Sequence, residues 1–125
     1  MKRKIMVVDD DVSLSRLLKH SLEKKGNCEV IVENVSTRAV ERVLEVMPDL
    51  IVLDVVMPDK DGGDVAQGIR DDKRTKDIPI IFLTSIVSKE EQAACGAMIG
   101  GDKVLAKPVH MDNLISEIEA CINPK

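Results

Sequence analysis

The stretch Leu50-Ile51-Val52-Leu53-Asp54-Val55-Val56-Met57-Pro58 decides the fold. Its first four residues are apolar, which is typical of a strand that is buried on both faces of a parallel sheet. Asp54 ends this run, and a carboxylate in such a place is costly unless it is solvated, paired or metal-bound. In an open parallel sheet, sites form at the carboxyl ends of the strands. Asp54 is therefore either a capping acid whose charge is hydrogen-bonded or solvated, or a residue that takes part in chemistry. The rest of the chain decides between these two roles.

Further strand-like runs alternate with helical patterns on both sides of this stretch. Strands are predicted at Ile5–Val8, Cys28–Val32, Leu50–Leu53, Ile78–Leu83 and Val104–Ala106. Apolar residues at helical spacing predict helices around Leu14–Leu22, after a capping Ser36, near Gly63–Asp71, after the capping box Ser88–Glu91, and around Leu114–Ile122. The pattern predicts one α/β domain over residues 1–125, doubly wound and flavodoxin-like. Its five-stranded parallel sheet has the order 2-1-3-4-5, with five helices.

Composition narrows the class of protein. The chain has 125 residues, 44% of them hydrophobic, and its net charge of −4 argues against direct binding of nucleic acid. No run approaches the roughly 20 apolar residues that a membrane-spanning helix needs. Cys28, Cys95 and Cys121 are far apart and form no C-x-x-C pair, so they indicate reduced thiols of a cytoplasmic protein rather than a metal or dithiol site.

Polar residues follow four of the five predicted strands at the same edge of the sheet. The first strand ends at Asp9-Asp10-Asp11, the third at Asp54, the fourth at Thr84-Ser85, and the fifth is followed by Lys107-Pro108. Glu33-Asn34 follows the second strand and is placed outside the site, because that strand lies at the edge of the sheet. The sequence thus gathers carboxylates, a hydroxyl and an ammonium group at one edge.

These groups suit a particular chemistry. Clustered carboxylates repel one another, and Mg²⁺ relieves the repulsion because it prefers oxygen ligands and keeps several waters. Asp9, Asp10 and Asp54 fit this role. A lysine and a threonine are unnecessary for a metal alone, but they suit the oxygens of a phosphoryl group. The edge therefore predicts Mg²⁺-assisted phosphoryl transfer with Asp54 as nucleophile, because Asp54 is the only acid on a central strand.

Four motifs together resemble the receiver domain of two-component response regulators, of the chemotaxis-regulator-like kind. They are Val7-Val8-Asp9-Asp10, Leu53-Asp54-Val55-Val56-Met57-Pro58 with Asp61-Gly62, Leu83-Thr84-Ser85, and Lys107-Pro108. They occur in the family's order and at family-like spacing over almost the whole chain. Each motif alone is weak evidence, whereas the four in combination are highly specific.

The resemblance implies a role for each site residue. Asp54 would accept a phosphoryl group from the phosphohistidine of a histidine kinase. Asp10 and Asp54 would bind Mg²⁺ directly, Asp9 would bind it through water, and the backbone carbonyl of Val56 would be a further ligand. Two side chains would complete the site. The ammonium group of Lys107 would pair with the phosphoryl oxygens, and the hydroxyl of Thr84 would swing in to hydrogen-bond them and carry the signal.

The resemblance also implies a signalling module rather than an enzyme with a separate substrate. Such a module catalyses only its own phosphorylation and dephosphorylation and signals through a protein-contact surface. The expected partners are a sensor histidine kinase or a phosphotransfer protein, together with an output protein that the sequence does not specify. A dimer through the last helices is a further expected contact. The domain is expected to bind neither a membrane nor nucleic acid directly.

Two features set this chain apart from the usual pattern of the family. The family often has Tyr or Phe where this chain has Val104, so the usual coupled motion of that aromatic side chain with the threonine is in doubt. In receivers, the side chains two residues after the phosphorylated Asp and two after the Thr flank the path of the hydrolytic water. Here they are the apolar Val56 and Ile86, which predicts a long-lived phosphorylated state.

Two alternatives from other classes remain open at this point. The sequence Asp9-x-Asp11-Val12 resembles the nucleophile motif of haloacid-dehalogenase-like phosphatases, and Lys107 could serve as that family's lysine. That reading offers only Asp112 as a nearby later acid and leaves Asp54 without a role. The other alternative, a flavodoxin-like binder of a nucleotide or flavin, lacks a glycine-rich phosphate loop and aromatic side chains to stack on a ring.

Overall fold

The computed structural model describes residues 2–84, 98–99, 102–106 and 109–122. Its strands are β1 (Arg3–Val8), β2 (Cys28–Glu33), β3 (Leu50–Asp54), β4 (Ile80–Thr84), β5 (Met98–Ile99) and β6 (Asp102–Ala106). The α-helices in this part of the chain are α1 (Val12–Lys25), α2 (Ala39–Val46), α3 (Gly62–Arg70) and α4 (Met111–Ile122). The helix predicted after Ser88 lies outside the described residues.

The sheet confirms the five predicted parallel strands and their order, and it contains one further strand that the sequence did not predict. Strands β2, β1, β3, β4 and β6 pair in parallel, which is the order 2-1-3-4-5 when β6 is counted as the fifth parallel strand. The sheet is not five-stranded, however, because the short β5 pairs antiparallel with β6 at the edge. A two-residue strand carries no alternation of apolar and polar residues, so the sequence could not reveal it.

Each strand sends alternate side chains to two separate hydrophobic cores. Along β1, Ile5 and Val7 enter one core, whereas Met6 and Val8 enter the other. Helices α1 and α4 cover the first core with Leu18, Leu22, Leu114 and Ile118. Helices α2 and α3 cover the second with Ala39, Val43, Val65, Ala66 and Ile69. Helices on both faces of a parallel sheet make this a doubly wound α/β fold, and they explain why all of β3 is buried.

Helix α1 begins at a capping carboxylate and ends at a glycine. The Asp11 side chain accepts a hydrogen bond from the backbone N–H of Leu14 at 3.0 Å, which caps the helix. The basic Lys24 and Lys25 occupy the last turn, and Gly26 ends the helix. No helix of the described segments has the length and apolar character needed to cross a bilayer.

The predicted cap of the second helix is wrong. A 3₁₀ turn, Ser36–Arg38, precedes α2, and the structure gives the start of neither segment a side-chain cap. The Ser36 hydroxyl instead donates to the backbone carbonyl of Pro58 at 2.7 Å. This contact ties the loop before α2 to the loop after β3. A sequence pattern that marks a local cap cannot distinguish it from a long-range bond made by the same hydroxyl.

The structure describes two of the three cysteines, Cys28 and Cys121. Cys28 is a buried thiol that packs in the first core, and burial raises its pKa. A raised pKa keeps the group protonated and weakly reactive at neutral pH. Cys95 lies outside the described residues.

Candidate functional site

The register of the sheet brings the predicted acidic residues to one edge. Val8 of β1 pairs with Leu53 of β3, so Asp9 and Asp54 are the next residues along two neighbouring strands. Asp54 in turn pairs with Leu83, one residue before Thr84 in β4. Because parallel strands end at the same side of the sheet, these residues meet where the polypeptide leaves the core.

Asp9, Asp10 and Asp54 form a cluster of carboxylates. One oxygen of each lies within 4.8 Å of the others. Asp9 is 2% and Asp54 is 6% exposed, whereas Asp10 is exposed to solvent. Three oxygen donors at the mouth of the sheet, one of them open to water, form a donor set that fits Mg²⁺.

Backbone amides orient the two buried carboxylates of this cluster. The Asp9 Oδ1 atom accepts a hydrogen bond from the N–H of Asp11 at 2.9 Å. The Asp54 Oδ1 atom accepts one from the N–H of Val56 at 3.3 Å. These bonds offset part of the cost of burying a charged group and fix the direction of each side chain.

The neighbouring acids serve the local backbone instead. Asp11 caps α1, and Asp61 caps α3 by accepting from the N–H of Asp64 at 2.9 Å. Asp59 lies in the intervening turn with a φ of 70°, in the left-handed region that Asn and Asp tolerate better than most residues. Asp11, Asp59 and Asp61 therefore lie in caps and a turn of the local backbone, outside the carboxylate cluster.

Gly62 allows the loop after β3 to fold back on its own strand. Its N–H donates to the carbonyl of Val55 at 2.8 Å. A Cβ atom at this position would lie 2.3 Å from the carbonyl oxygen of Asp54 and 2.8 Å from the Cα of Val55. Only glycine fits beside this strand end, so α3 can begin directly next to the acidic cluster.

Two residues that the sequence analysis did not assign to the site contact its backbone. The side-chain nitrogen of Asn34 donates to the carbonyl of Asp9 at 2.7 Å and to the hydroxyl oxygen of Ser15 at 3.1 Å. The signal was present, since Asn34 directly follows a strand of the same sheet. The position of β2 at the edge of the sheet places Asn34 outside the predicted site, but its side chain reaches inward to the neighbouring β1–α1 turn.

The structure describes only some of the remaining predicted site residues. The structure describes the backbone of Thr84, which pairs with Ala106, but not its side chain. Lys107 and Ile86 lie outside the described residues. The Val56 side chain is 54% exposed beside the cluster. Val104 is buried in the second core, which also contains Phe82, its partner on the neighbouring strand.

Comparison with known proteins identifies the family. The family model of the response regulator receiver domain matches residues 5–119. The chain therefore belongs to the response regulator receiver domains of two-component systems. Membership decides against the phosphatase and flavin-binding alternatives, which would require other motifs.

Individual relatives agree with this assignment. The chain is 32% identical over 120 residues to the DNA-binding dual master transcriptional regulator RpaA of Synechocystis, over 95% of this chain and 48% of that protein. It therefore spans about half the length of this curated relative. A putative response regulator from Chloroflexus aurantiacus superposes with a TM-score of 0.84 at 26% identity, covering 98% of each chain. The Vibrio cholerae chemotaxis protein CheY4 gives 0.82 at 26% identity, covering 97% of this chain and 99% of that one.

Family membership fixes the general function. Receiver domains are signalling modules that accept a phosphoryl group on an aspartate, bind Mg²⁺ in an acidic pocket, and interact with histidine kinases or phosphotransfer proteins. The cluster of Asp9, Asp10 and Asp54 fits such a pocket.

Proposed function

We propose that this chain is a phosphorylation switch in which Asp54 accepts the phosphoryl group in a Mg²⁺-dependent reaction. The observation that carries the proposal is the position of Asp54, which is buried at the end of the central strand β3, within 4.8 Å of the carboxylates of Asp9 and Asp10. Asp9 is anchored within its own turn and Asp10 is exposed, so neither occupies the central position. We further propose that residues 1–125 act as one receiver unit.

The chemistry follows from what the residues around Asp54 can do. A carboxylate oxygen of Asp54 attacks the phosphorus of a phosphohistidine, the new P–O bond forms as the P–N bond breaks, and the electron pair of that bond stays on the imidazole nitrogen. The N–H of Val56 holds Oδ1 of Asp54 at 3.3 Å, which directs the carboxylate during attack. A Mg²⁺ ion, when bound, would neutralise charge that develops on the phosphoryl oxygens.

The other proposed roles complete the site. Asp10 and Asp54 would hold the metal directly, Asp9 would hold it through water, and the backbone carbonyl of Val56 would add a ligand. Lys107 would pair with the phosphoryl oxygens and Thr84 would donate its hydroxyl to them. The same groups would support the module's own dephosphorylation. The signal would then pass to an output protein through a contact surface, and a dimer through the last helices belongs to the same proposal.

The test uses a small phosphodonor, because it requires no knowledge of the partner kinase. The chain is incubated with acetyl phosphate and Mg²⁺, and its intact mass is measured. We expect the parent to gain the mass of one phosphoryl group, and Asp54→Asn to gain none. Asp59→Asn is the matched control, since Asp59 lies in the nearby turn outside the cluster.

Two results would contradict the proposal. If Asp54→Asn still gained one phosphoryl group, peptide mapping would locate the true acceptor. If the parent gained the same mass in the presence of a chelator that removes Mg²⁺, the metal dependence would be wrong while the acceptor could stand.

A further inference from the structure

We propose that Asn34, together with Ser15, is a positioning residue that holds the Asp9–Asp11 turn in the arrangement that binds the divalent cation. The inference rests on the proposed function of the acidic cluster and adds to it a group from the edge strand. Asn34 follows β2 and does not contact the carboxylates themselves. It acts on the backbone that carries them, through the carbonyl of Asp9 at 2.7 Å.

The donors and acceptors of this network match one another. A primary amide nitrogen has two N–H bonds, and those of Asn34 point to the Asp9 carbonyl and to the Ser15 hydroxyl oxygen. A carbonyl can only accept, so the orientation of the amide is fixed by chemistry. The hydroxyl hydrogen of Ser15 is then free to donate to the carbonyl of Asp11 at 2.8 Å. The chain of bonds therefore ties both ends of the acidic turn to one amide.

The surroundings make this network rigid. Ser15 is fully buried and Asp9 is 2% exposed. The N–H of Asp9 also donates to the carbonyl of Glu33 at 3.2 Å. The exposed Asp10 lies between two residues that are anchored in this way, so the backbone that carries its carboxylate is held on both sides. A metal ligand on an unbraced turn would have to be ordered on binding, which weakens affinity.

The loop that carries Asn34 is itself held from two sides. The Glu33 carboxylate is buried and accepts a hydrogen bond from the N–H of Val35 at 3.0 Å. Ser36 donates to the carbonyl of Pro58 at 2.7 Å. Residues 33–38 therefore link the loop after β1, which carries Asp9 and Asp10, to the loop that follows Asp54 at the end of β3. Asn34 is the point at which this link contacts the metal-binding turn.

Charge and geometry make opposite predictions for one substitution, which gives a sharp test. Asn34→Asp keeps the shape and adds a negative charge near the cation, so electrostatics alone predicts tighter binding of Mg²⁺. A carboxylate cannot donate to the carbonyl of Asp9, so the positioning role predicts weaker binding. Asn34→Ala removes the donor without adding charge. Asn113→Ala, an exposed asparagine on α4, is the matched control.

The experiment titrates the full chain with Mg²⁺ alone and follows amide signals by NMR. Removing a group that orients a metal ligand costs about tenfold in affinity, so we expect both Asn34 variants to bind about tenfold more weakly than the parent. Asn113→Ala should match the parent. In the metal-free state, hydrogen exchange of the Asp11 amide, which is bonded to Asp9 Oδ1, should be faster in both Asn34 variants.

The outcomes separate this inference from the proposed function. Asn34→Asp binding Mg²⁺ as tightly as the parent, or more tightly, would overturn the positioning role. A parent that fails to bind Mg²⁺ would refute the metal-binding site itself, and the exchange rates would then decide whether Asn34 braces the turn. Unchanged exchange at Asp11 in Asn34→Ala would overturn the brace in either case.

Discussion

At the scale of single residues, the acidic edge depends on a close approach of two backbone segments. Gly62 lies against the end of β3, where a side chain would collide with main-chain atoms that cannot move independently of the sheet. Gly63, the next residue, has only the Asp61 side chain near its hypothetical Cβ, at 3.2 Å. Of these two adjacent glycines in one helix, only Gly62 would bring an added Cβ against main-chain atoms, so the two form a matched pair.

We expect Gly62→Ala to lower the free energy of unfolding by about 2–4 kcal/mol, because the added methyl group forces β3 and α3 apart. Gly63→Ala should stay within about 1 kcal/mol of the parent, since a flexible side chain can adjust and alanine favours the helix. Urea unfolding followed by far-UV circular dichroism is the suitable measurement, because the chain has no Trp or Tyr. Equal losses in the two variants would show that the close approach does not determine stability.

The crowding of Asp9, Asp10 and Asp54 gives a second prediction at this scale. Like charges within 4.8 Å repel when no cation is bound. Neutralising the exposed Asp10 should therefore raise the melting temperature of the metal-free chain by a few degrees, at about 0.5–1 kcal/mol. The same Asp10→Asn substitution should remove the additional stabilisation that Mg²⁺ gives the parent.

Melting curves of both proteins, with Mg²⁺ and with a chelator, check this prediction. Asp112→Asn is the control, since Asp112 is an exposed acid in the first turn of α4, outside the cluster. A metal-free Asp10→Asn chain that melts below the parent would mean that the acids are not under electrostatic strain.

At the scale of elements, the exposed edge of the sheet is closed by a helix. Strand β2 pairs with β1 on one side only. On its other side, the N–H of Val30 donates to the Glu23 carboxylate at 3.0 Å, and its carbonyl accepts from the Lys19 ammonium at 2.6 Å. Lys19 and Glu23 also pair with each other at 3.1 Å. Side chains from α1 thus occupy the outward-facing backbone groups of Val30, which an edge strand would otherwise offer to another chain.

This arrangement has a pH dependence of definite sign. The hydrogen bond from the Val30 N–H and then the contact with Lys19 hold the pKa of Glu23 below its ordinary value of 4.5. A depressed pKa in the folded state stabilises the fold above about pH 4.5, and the contribution is lost as the pH falls through the folded-state pKa. Glu23→Gln should therefore cost about 0.5 kcal/mol at pH 7, a modest amount because both side chains are partly exposed.

Unfolding of the parent and the variant between pH 7 and pH 3 checks this sign, because the difference between them should shrink as the pH falls. Glu45→Gln is the control, since Glu45 pairs with Arg42 on the surface and its side chain is 66% exposed. A difference between parent and Glu23→Gln that grows toward low pH would contradict the assignment.

At the scale of the whole molecule, the sequence predicted what depends on periodicity and strand ends. Buried apolar runs gave the parallel strands and their order, and Asp9, Asp10 and Asp54 were predicted together because parallel strands end at one edge. The sequence did not predict contacts that cross between loops. The sequence predicts a cap at Ser36 and places Asn34 outside the site, because nothing local to either residue indicates a partner 22 or 25 positions away. The sequence did not predict β5 either, because two residues are too few to show an alternation of apolar and polar side chains.

The lifetime of the phosphorylated molecule is the last property that these residues predict. Hydrolysis of an aspartyl phosphate needs a water in line with the phosphorus, and Val56 and Ile86 are expected to flank that path. The Val56 side chain, two residues after Asp54, is 54% exposed, and an aliphatic group can exclude water but cannot orient it. We therefore expect slow loss of phosphate, which would suit a slow process.

Val56→Asn with Ile86→Glu should speed the loss about tenfold, equivalent to about 1.4 kcal/mol in the barrier. Val35→Asn, at a valine that is 45% exposed, is the control. The rate of phosphate release is measured in the parent and the variants after removal of the phosphodonor. A double variant that releases phosphate no faster than the parent would refute the role of these two side chains.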